Sequence, residues 1–350
     1  MAYTTINKST DYFNTKLYEG NGSSPRSITG VGFQPDFTWT KNRDNTNGHG
    51  LFDAVRGYAT GYGLSTHNAN AEGSADTYGY LSSRDSDGYT MTAGGSGMTM
   101  NNTNGESYAS WNWKANGAGS SNTDGSITST VSANTTSGFS IVSYTGTGAN
   151  ATVGHGLGVA PKMIIVKRTN GTNAWQIFHE GMGNTKFIEF SDSIPQQRGT
   201  TSIQWQDTNP TSTVFSLGSE SDVNGNTYPF IAYCFADIPG YSKAGIYTGT
   251  GSTNFVYTGF KPTFVMIKSL NYSQPWTIMD TTRDTFNNNN LKRLWANYNN
   301  AESTGGETDL LSNGFRHTSF SNWQNVGGEY IYLAFGQSLV GSNNIPCTAR

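Results

Sequence analysis

Charge is scarce in this chain of 350 residues: Lys and Arg number 21 and Asp and Glu 24, and the formal net charge is -3. The few cations are scattered, so there is no basic surface of the kind a phosphate backbone needs, and nucleic acid is not an expected partner. Cysteine is nearly absent. Cys234 and Cys347 supply neither a disulfide framework nor a metal-ligand spacing, and Cys234, inside an apolar run, reads as a small buried hydrophobe. No run approaches the roughly 18 apolar residues of a membrane span, and the opening MAYTTINKST lacks the charged-then-apolar pattern of a signal peptide. The expectation is a soluble chain made in a cytosol, with no membrane insertion. Ala, Leu, Glu and Lys, which long helices want, are sparse as well.

Gly (43 residues) with Asn, Ser and Thr fills the polar positions, while 18 Phe, 19 Tyr and 8 Trp supply the apolar mass. Turns want Gly and Asn, and strands want Thr, Tyr, Phe and Val. Disorder goes with few aromatics and high net charge, the reverse of this composition. The expected fold class is all-β.

Self-similarity organises the chain. Three openings match: Tyr18-Glu-Gly20-Asn-Gly22, Tyr144-Thr-Gly146-Thr-Gly148 and Tyr247-Thr-Gly249-Thr-Gly251. A proline-led run follows each, GFQPDFTWTK, GVAPKMIIVK and GFKPTFVMIK, in which Pro35, Pro161 and Pro262 precede Lys41, Lys167 and Lys268 by six residues. Proline fits the first residue of a strand, the run after it suits a buried strand, and the lysine marks where that strand should emerge into solvent. Next come LFDAVRG, WQIFHEG and WTIMDTTRD, which align Asp53, His179 and Asp280; Arg56 and Arg283 recur in the first and third. Closing runs ESYASWNWKA, YPFIAYCFAD and EYIYLAFGQS pair Tyr108 with Trp113, Phe230 with Phe235 and Tyr330 with Phe335, and their alternation predicts a strand with one packed face.

These matches divide the chain into three tandem modules at 1–118, 119–238 and 239–350, the first with a long Gly/Ser/Tyr loop insertion. Solenoid units and propeller blades are about half this size, so a jelly-roll or concanavalin-like β-sandwich is expected for each module.

Catalytic sets are hard to find. The paired carboxylates of sugar-cleaving sandwiches would be spaced Glu-x-Asp-x-x-Glu along one strand; the nearest approach, Glu220-Ser-Asp222-Val-Asn-Gly225, ends in glycine. Glu189 and the pair His179-Glu180 read as a strand residue and a turn. Asp53 with Arg56, and Asp280 with Arg283, read as a repeated structural ion pair or turn clamp. Asp85-Ser-Asp87-Gly88 lacks the acids of a calcium loop and fits a hairpin turn. The five histidines lack zinc spacing. No cofactor is expected. Tyr58, Tyr62, Tyr78 and Tyr80 crowd a Gly/Ser-rich stretch that ought to be surface. Such a cluster pins a loop, binds a neighbouring subunit, or stacks a sugar, and these four are the candidate receptor-contact residues.

The Tyr-x-Gly-x-Gly opening, the GxxPxxxxxK strand with Trp175 or Trp276 after it, and the closing aromatic strand resemble modules of virion structural and tail-fibre-like proteins of bacteriophages, of the marine and cyanophage type. Copy one departs from the pattern, with His49 where the others carry tryptophan. The resemblance implies concanavalin-like or laminin-G-like sandwiches and a virion location after synthesis in a host bacterial cytoplasm. It implies other virion proteins as partners, homo-oligomerisation, and a host surface glycan as candidate ligand, and it brings no catalytic residues. The expected function is a non-enzymatic virion protein of a tail fibre or spike that contributes to host attachment. Alternatives are a capsid decoration or minor head protein, for which three copies suit a local threefold position, and an enzyme that degrades host polysaccharide.

Overall fold

The computed structural model describes residues 4–190, 202–284, 291–305, 308–318, 323–338 and 340. The aromatic and β-branched runs form antiparallel strands, and the structure is all-β. Helix among the described residues is confined to short 3-10 turns and two four-residue pieces, Ser202–Trp205 and Ser221–Asn224.

One strand order recurs in three larger sheets. An opening strand (Phe13–Glu19, Phe139–Thr145, Ser242–Gly249) pairs with a closing strand (Ser107–Trp113, Pro229–Phe235, Gly328–Gln337). The closing strand pairs with the proline-led strand (Phe37–Asn42, Met163–Arg168, Lys261–Ser269), which pairs with a fourth (His49–Asp53, Gln176–His179, Thr277–Asp280). The second sheet is extended past its opening strand by Ser129–Asn134 and Ser120–Asn122. Each larger sheet is faced by a small one. These are Arg26–Thr29 with Gly88–Thr92 and Tyr80–Asp85; Ala151–Gly154 with Val214–Leu217; and Asn254–Tyr257 with Gly314–His317 and Thr308–Leu311.

Side chains alternate across each strand, so every larger sheet has two apolar faces. Ile164 and Val166 enter the sandwich against Val153, Phe215 and Leu217. Met163 and Ile165 point the other way, into a core shared by all three larger sheets. At its centre the closing-strand aromatics meet: Trp113 lies 6.4 Å from Phe235 and 5.8 Å from Phe335, and those two lie 5.9 Å apart, centroid to centroid. The closing strands are therefore packed on both faces rather than one; Tyr108 to Trp113 are all buried. Alternation alone could not reveal this, because the second face is covered by the other two sheets.

The opening motif closes one end of each sandwich. Tyr18, Tyr144 and Tyr247 stack on Tyr108, Phe230 and Tyr330 at 5.1, 5.2 and 5.1 Å. Their hydroxyls donate to the carbonyls of Asn101, Val223 and Gln324 at 2.9, 2.6 and 2.6 Å. The next residues, Asn102, Asn224 and Asn325, are wholly buried, and each carboxamide oxygen accepts an opening-loop N–H, from Asn21, Thr147 and Thr250. A Cβ at Gly20 or Gly146 would collide with the carbonyl oxygen of Thr103 or Gly225, and Gly22, Gly148 and Gly251 take φ of 67°, 70° and 65°. The spacing of the motif thus follows from close approach and left-handed backbone.

The repeated lysines contradict the expectation that they mark emergence into solvent: Lys41, Lys167 and Lys268 are all wholly buried. Their ammonium groups turn back to satisfy loop carbonyls. Lys167 Nζ donates toward Ala69 O (3.1 Å), Arg168 O (2.8 Å), Gly171 O (2.9 Å) and Asn173 O (2.9 Å). Lys41 reaches Asn42 O and Asn45 O, and Lys268 reaches Gln274 O. A long flexible stem lets a cation tie the loop that follows its own strand.

Candidate functional site

Polar groups at the seams between the three larger sheets form a closed cycle. Trp175 Nε1 donates to Ser65 O (2.9 Å), Trp276 Nε1 to Glu189 O (2.9 Å), and His49 lies with Nε2 against Trp295 O (3.0 Å) and Tyr298 O (2.9 Å). Each bond crosses from one sequence copy to another, and His49 supplies with its ring the N–H that tryptophan supplies in the other two. All three side chains are buried, so this position lines a seam and no ligand surface.

The aligned residues Asp53, His179 and Asp280 form a second cycle. The Asp53 carboxylate accepts from Arg56 Nε (2.7 Å), from the N–H groups of Val55 and Arg56, and from Tyr233 Oη of the next copy (2.8 Å). Asp280 repeats the pattern with Arg283 (2.6 Å) and with Trp111 Nε1 (3.1 Å), and Arg283 pairs further with Glu302, which also holds Arg43 at 2.7 Å. At the third seam the polarity reverses. His179 Nδ1 accepts the Gly181 N–H (3.0 Å), which leaves Nε2–H to donate to Tyr332 O (3.2 Å). Burial pushes the His179 imidazole down to about 4 and holds His49 well below its ordinary value, with Lys41 and His67 adding to the shift at His49. Both rings are neutral donors at neutral pH.

The four candidate tyrosines separate. Tyr58 and Tyr80 pack against the sandwich core of the first copy, and Tyr58 Oη lies 2.9 Å from Thr38 Oγ1. They are half-buried and pin the long insertion to its sheet, because an insertion this large has to bury some of its own apolar mass. Tyr62 and Tyr78 are exposed, Tyr78 by 49%. Tyr78 borders a recess of about 270 Å³ whose wall includes Asn47, His67, Asn68, Asn70 and Met100. Burial, with help from Lys41, lowers the His67 ring to about 4. The wall therefore holds amides, hydroxyls, a neutral imidazole and a half-exposed phenol, and no charged side chain. It can hydrogen-bond a small neutral polar group against a ring face.

The carboxylates singled out in the sequence are engaged locally. Asp87 accepts from Gly30 N (2.9 Å) and Gly32 N (2.6 Å), and Asp85 from Ser83 Oγ (2.8 Å) and Thr90 Oγ1 (2.7 Å), in a hairpin whose last pair is Asp85 with Gly88. Glu189 accepts from Gln176 (3.1 Å), Asp222 from Asn173 and from Gln176 (3.3 Å), and Glu220 caps Ser221 N (2.9 Å). Cys234 is buried, and Cys347 lies outside the described residues. A second concave place, missed in the sequence, opens between Ser242–Gly249 and Asn254–Tyr257 and holds about 480 Å³. Only a comparison of the small-sheet residues of the three copies could have pointed to it.

Over residues 8–338 the sequence matches the family described as Domain of unknown function (DUF7483), and the chain belongs to that family. The match runs across all three larger sheets. Comparison with curated proteins finds no match.

Proposed function

We propose that this chain is a non-enzymatic structural protein of a bacteriophage virion, a component of a tail fibre or spike that contributes to attachment to the host surface. The reading starts from the resemblance of its repeated motifs to phage virion modules, and it is carried by one structural observation: three sandwiches share a single aromatic core and are tied to one another at every seam. A body built this way transmits force without hinging. The lectin-like part of the reading rests on the uncharged recess beside Tyr78, which suits a neutral host glycan better than an acidic one. A second reading, capsid decoration, is favoured by the cyclic arrangement itself, because three near-equivalent faces fit a local threefold position.

Gold-labelled antibody on intact phage particles tests both. Label at the tail or its fibres is expected. Label spread over the head would replace the first reading with the second, and particles without label would remove both.

A further inference from the structure

The geometry points to the groove between Ser242–Gly249 and Asn254–Tyr257 as a docking site for an extended segment of a different protein, which adds to the third sheet as a strand beside Ile246 and Thr248. Ser242–Gly249 is the edge of its sheet. Ser242 exchanges both main-chain bonds with Ile238, Ala244 N donates to Asp237 Oδ1 (2.7 Å), and Thr248 O accepts from Asn254 Nδ2 (2.9 Å). Even-numbered residues therefore turn their main-chain groups away from the closing strand. The linker covers the edge as far as Ala244, and the N–H groups of Ile246 and Thr248 and the carbonyls of Ala244 and Ile246 face the open side, in line for a short ladder.

The chain itself shows what fills such a place. In the second copy, Tyr144 stands where Tyr247 stands, and the opening strand is paired along Phe139–Ser143 by Ser129–Asn134. The same segment closes the gap to the small sheet: Ile127 N donates to Thr152 O (3.0 Å), Ser129 Oγ to Gly154 O (3.2 Å), and Ile127 and Val131 reach the sandwich core. The third copy has only the short turn 236–241 before its opening strand, so half of the equivalent edge is left uncovered.

Residues flanking the groove differ in the direction a binding surface requires. Val256 pairs with Phe315 as Val153 does with Phe215 and Ile28 with Tyr89, which fixes the alignment of the small sheets. On either side of this buried position the first copy has Ser27 and Thr29 and the second Thr152 and Gly154, whereas the third has Phe255 and Tyr257, exposed by 45% and 57%. Ile246 beside them is exposed by 41%. The fold is built twice without these side chains, so it does not require them, and large exposed aromatics along an open edge suit a polypeptide partner. A second copy of this chain has no equivalent segment to lend, because its Ser129–Asn134 is already paired on both sides.

The test uses the full chain and a labelled synthetic peptide of its own residues 124–135, DGSITSTVSANT, which carries the segment that fills the equivalent gap. Fluorescence anisotropy is expected to show saturable binding, at least about tenfold weaker in the double variant F255S/Y257T, which restores the residues of the first copy. Amide exchange is expected to slow at Ile246 and Thr248 when peptide is added, and a peptide methylated at alternate backbone nitrogens is expected not to bind. No binding at about 1 mM peptide, or binding that the double variant and the methylated peptide leave unchanged, would overturn the assignment. So would self-association in sedimentation equilibrium that F255S/Y257T abolishes, which would make a second copy the occupant. Protection of the same amides by neutral oligosaccharides but not by peptide would make the groove a saccharide site instead.

Discussion

His179 sits where a second proton is costly. Its Nδ1 already accepts the Gly181 N–H and its Nε2–H already donates across the seam to Tyr332 O, so a second proton would have to enter on Nδ1, facing another N–H, inside a buried interface. Burial accordingly depresses the imidazole to about 4, against about 6.5 in the unfolded chain. A folded value below the unfolded one gives stability that is fully present above pH 6.5 and is lost as pH falls toward 4. The gap corresponds to about 3 kcal/mol in all, of which about 2.5 is gone by pH 4.5. In His179→Gln the side-chain amide keeps a donor near Tyr332 O but cannot titrate, and Gly181 N–H loses its acceptor. The variant should be about 1 kcal/mol less stable than wild type at pH 7 and about 1.5 kcal/mol more stable at pH 4.5. Urea unfolding of both proteins at steps from pH 7 to 4.5 measures the difference. The difference is the quantity to follow, because Asp237, pushed up to about 6 by burial, takes up its proton in the folded state first and pulls the wild-type curve the other way. A gap between the two proteins that stays constant over this range would refute the assignment of His179 as a neutral seam donor.

Lys167→Met leaves four loop carbonyls without their common donor, and thermal unfolding should show a loss of at least about 3 kcal/mol; a loss under about 1 kcal/mol would mean that water replaces the ammonium. Tyr233→Phe removes a hydroxyl donated to the Asp53 carboxylate across a seam and should cost about 1.5–3 kcal/mol. A double-mutant cycle with Asp53→Asn checks it, since a coupling near zero would show that the bond carries no net stability. Residues 119–238 expressed alone would expose twelve members of the shared core, from Phe139 to Phe235. At about 1.5–3 kcal/mol each that exceeds a typical total stability of about 5–15 kcal/mol, so the piece should aggregate or stay unfolded, and a monomer with a sharp, cooperative melt would contradict the shared core.

Tyr-x-Gly-x-Gly was legible because close approach of backbone at Gly20 and Gly146 leaves no alternative residue, and a tyrosine that must stack and donate is equally constrained. Asp53 with Arg56 was legible as a clamp because the pair is local, three residues apart in sequence. The lysines misled, since a charged residue after an apolar run ordinarily marks the surface and nothing local announces a nest of carbonyls. Tyr58 and Tyr80 are half-buried where the Gly and Ser around them suggest open loop, because depth is set by the sheet beneath. The seams were invisible. Their partners lie far apart in sequence, as Trp175 and Ser65 do, and no periodicity within one copy encodes a contact with another.

The seams also explain why three copies in one chain differ from three identical subunits. In a symmetric trimer every interface must use the same donor and the same acceptor. Here the donor aligned with Trp111 and Tyr233 is Leu333, which cannot donate, and the acceptor aligned with Asp53 and Asp280 is His179, which at that seam donates instead to the main chain of the neighbouring Tyr332. Either change alone would leave a buried polar group unpaired, at a cost of about 1–3 kcal/mol. Together they restore the bond with its direction reversed, a pairing available only where each seam can vary independently of the other two. Covalent linkage supplies that independence. It likewise lets the first copy carry a long insertion and the second an added pair of strands, while the aromatic centre of Trp113, Phe235 and Phe335 stays common to all three.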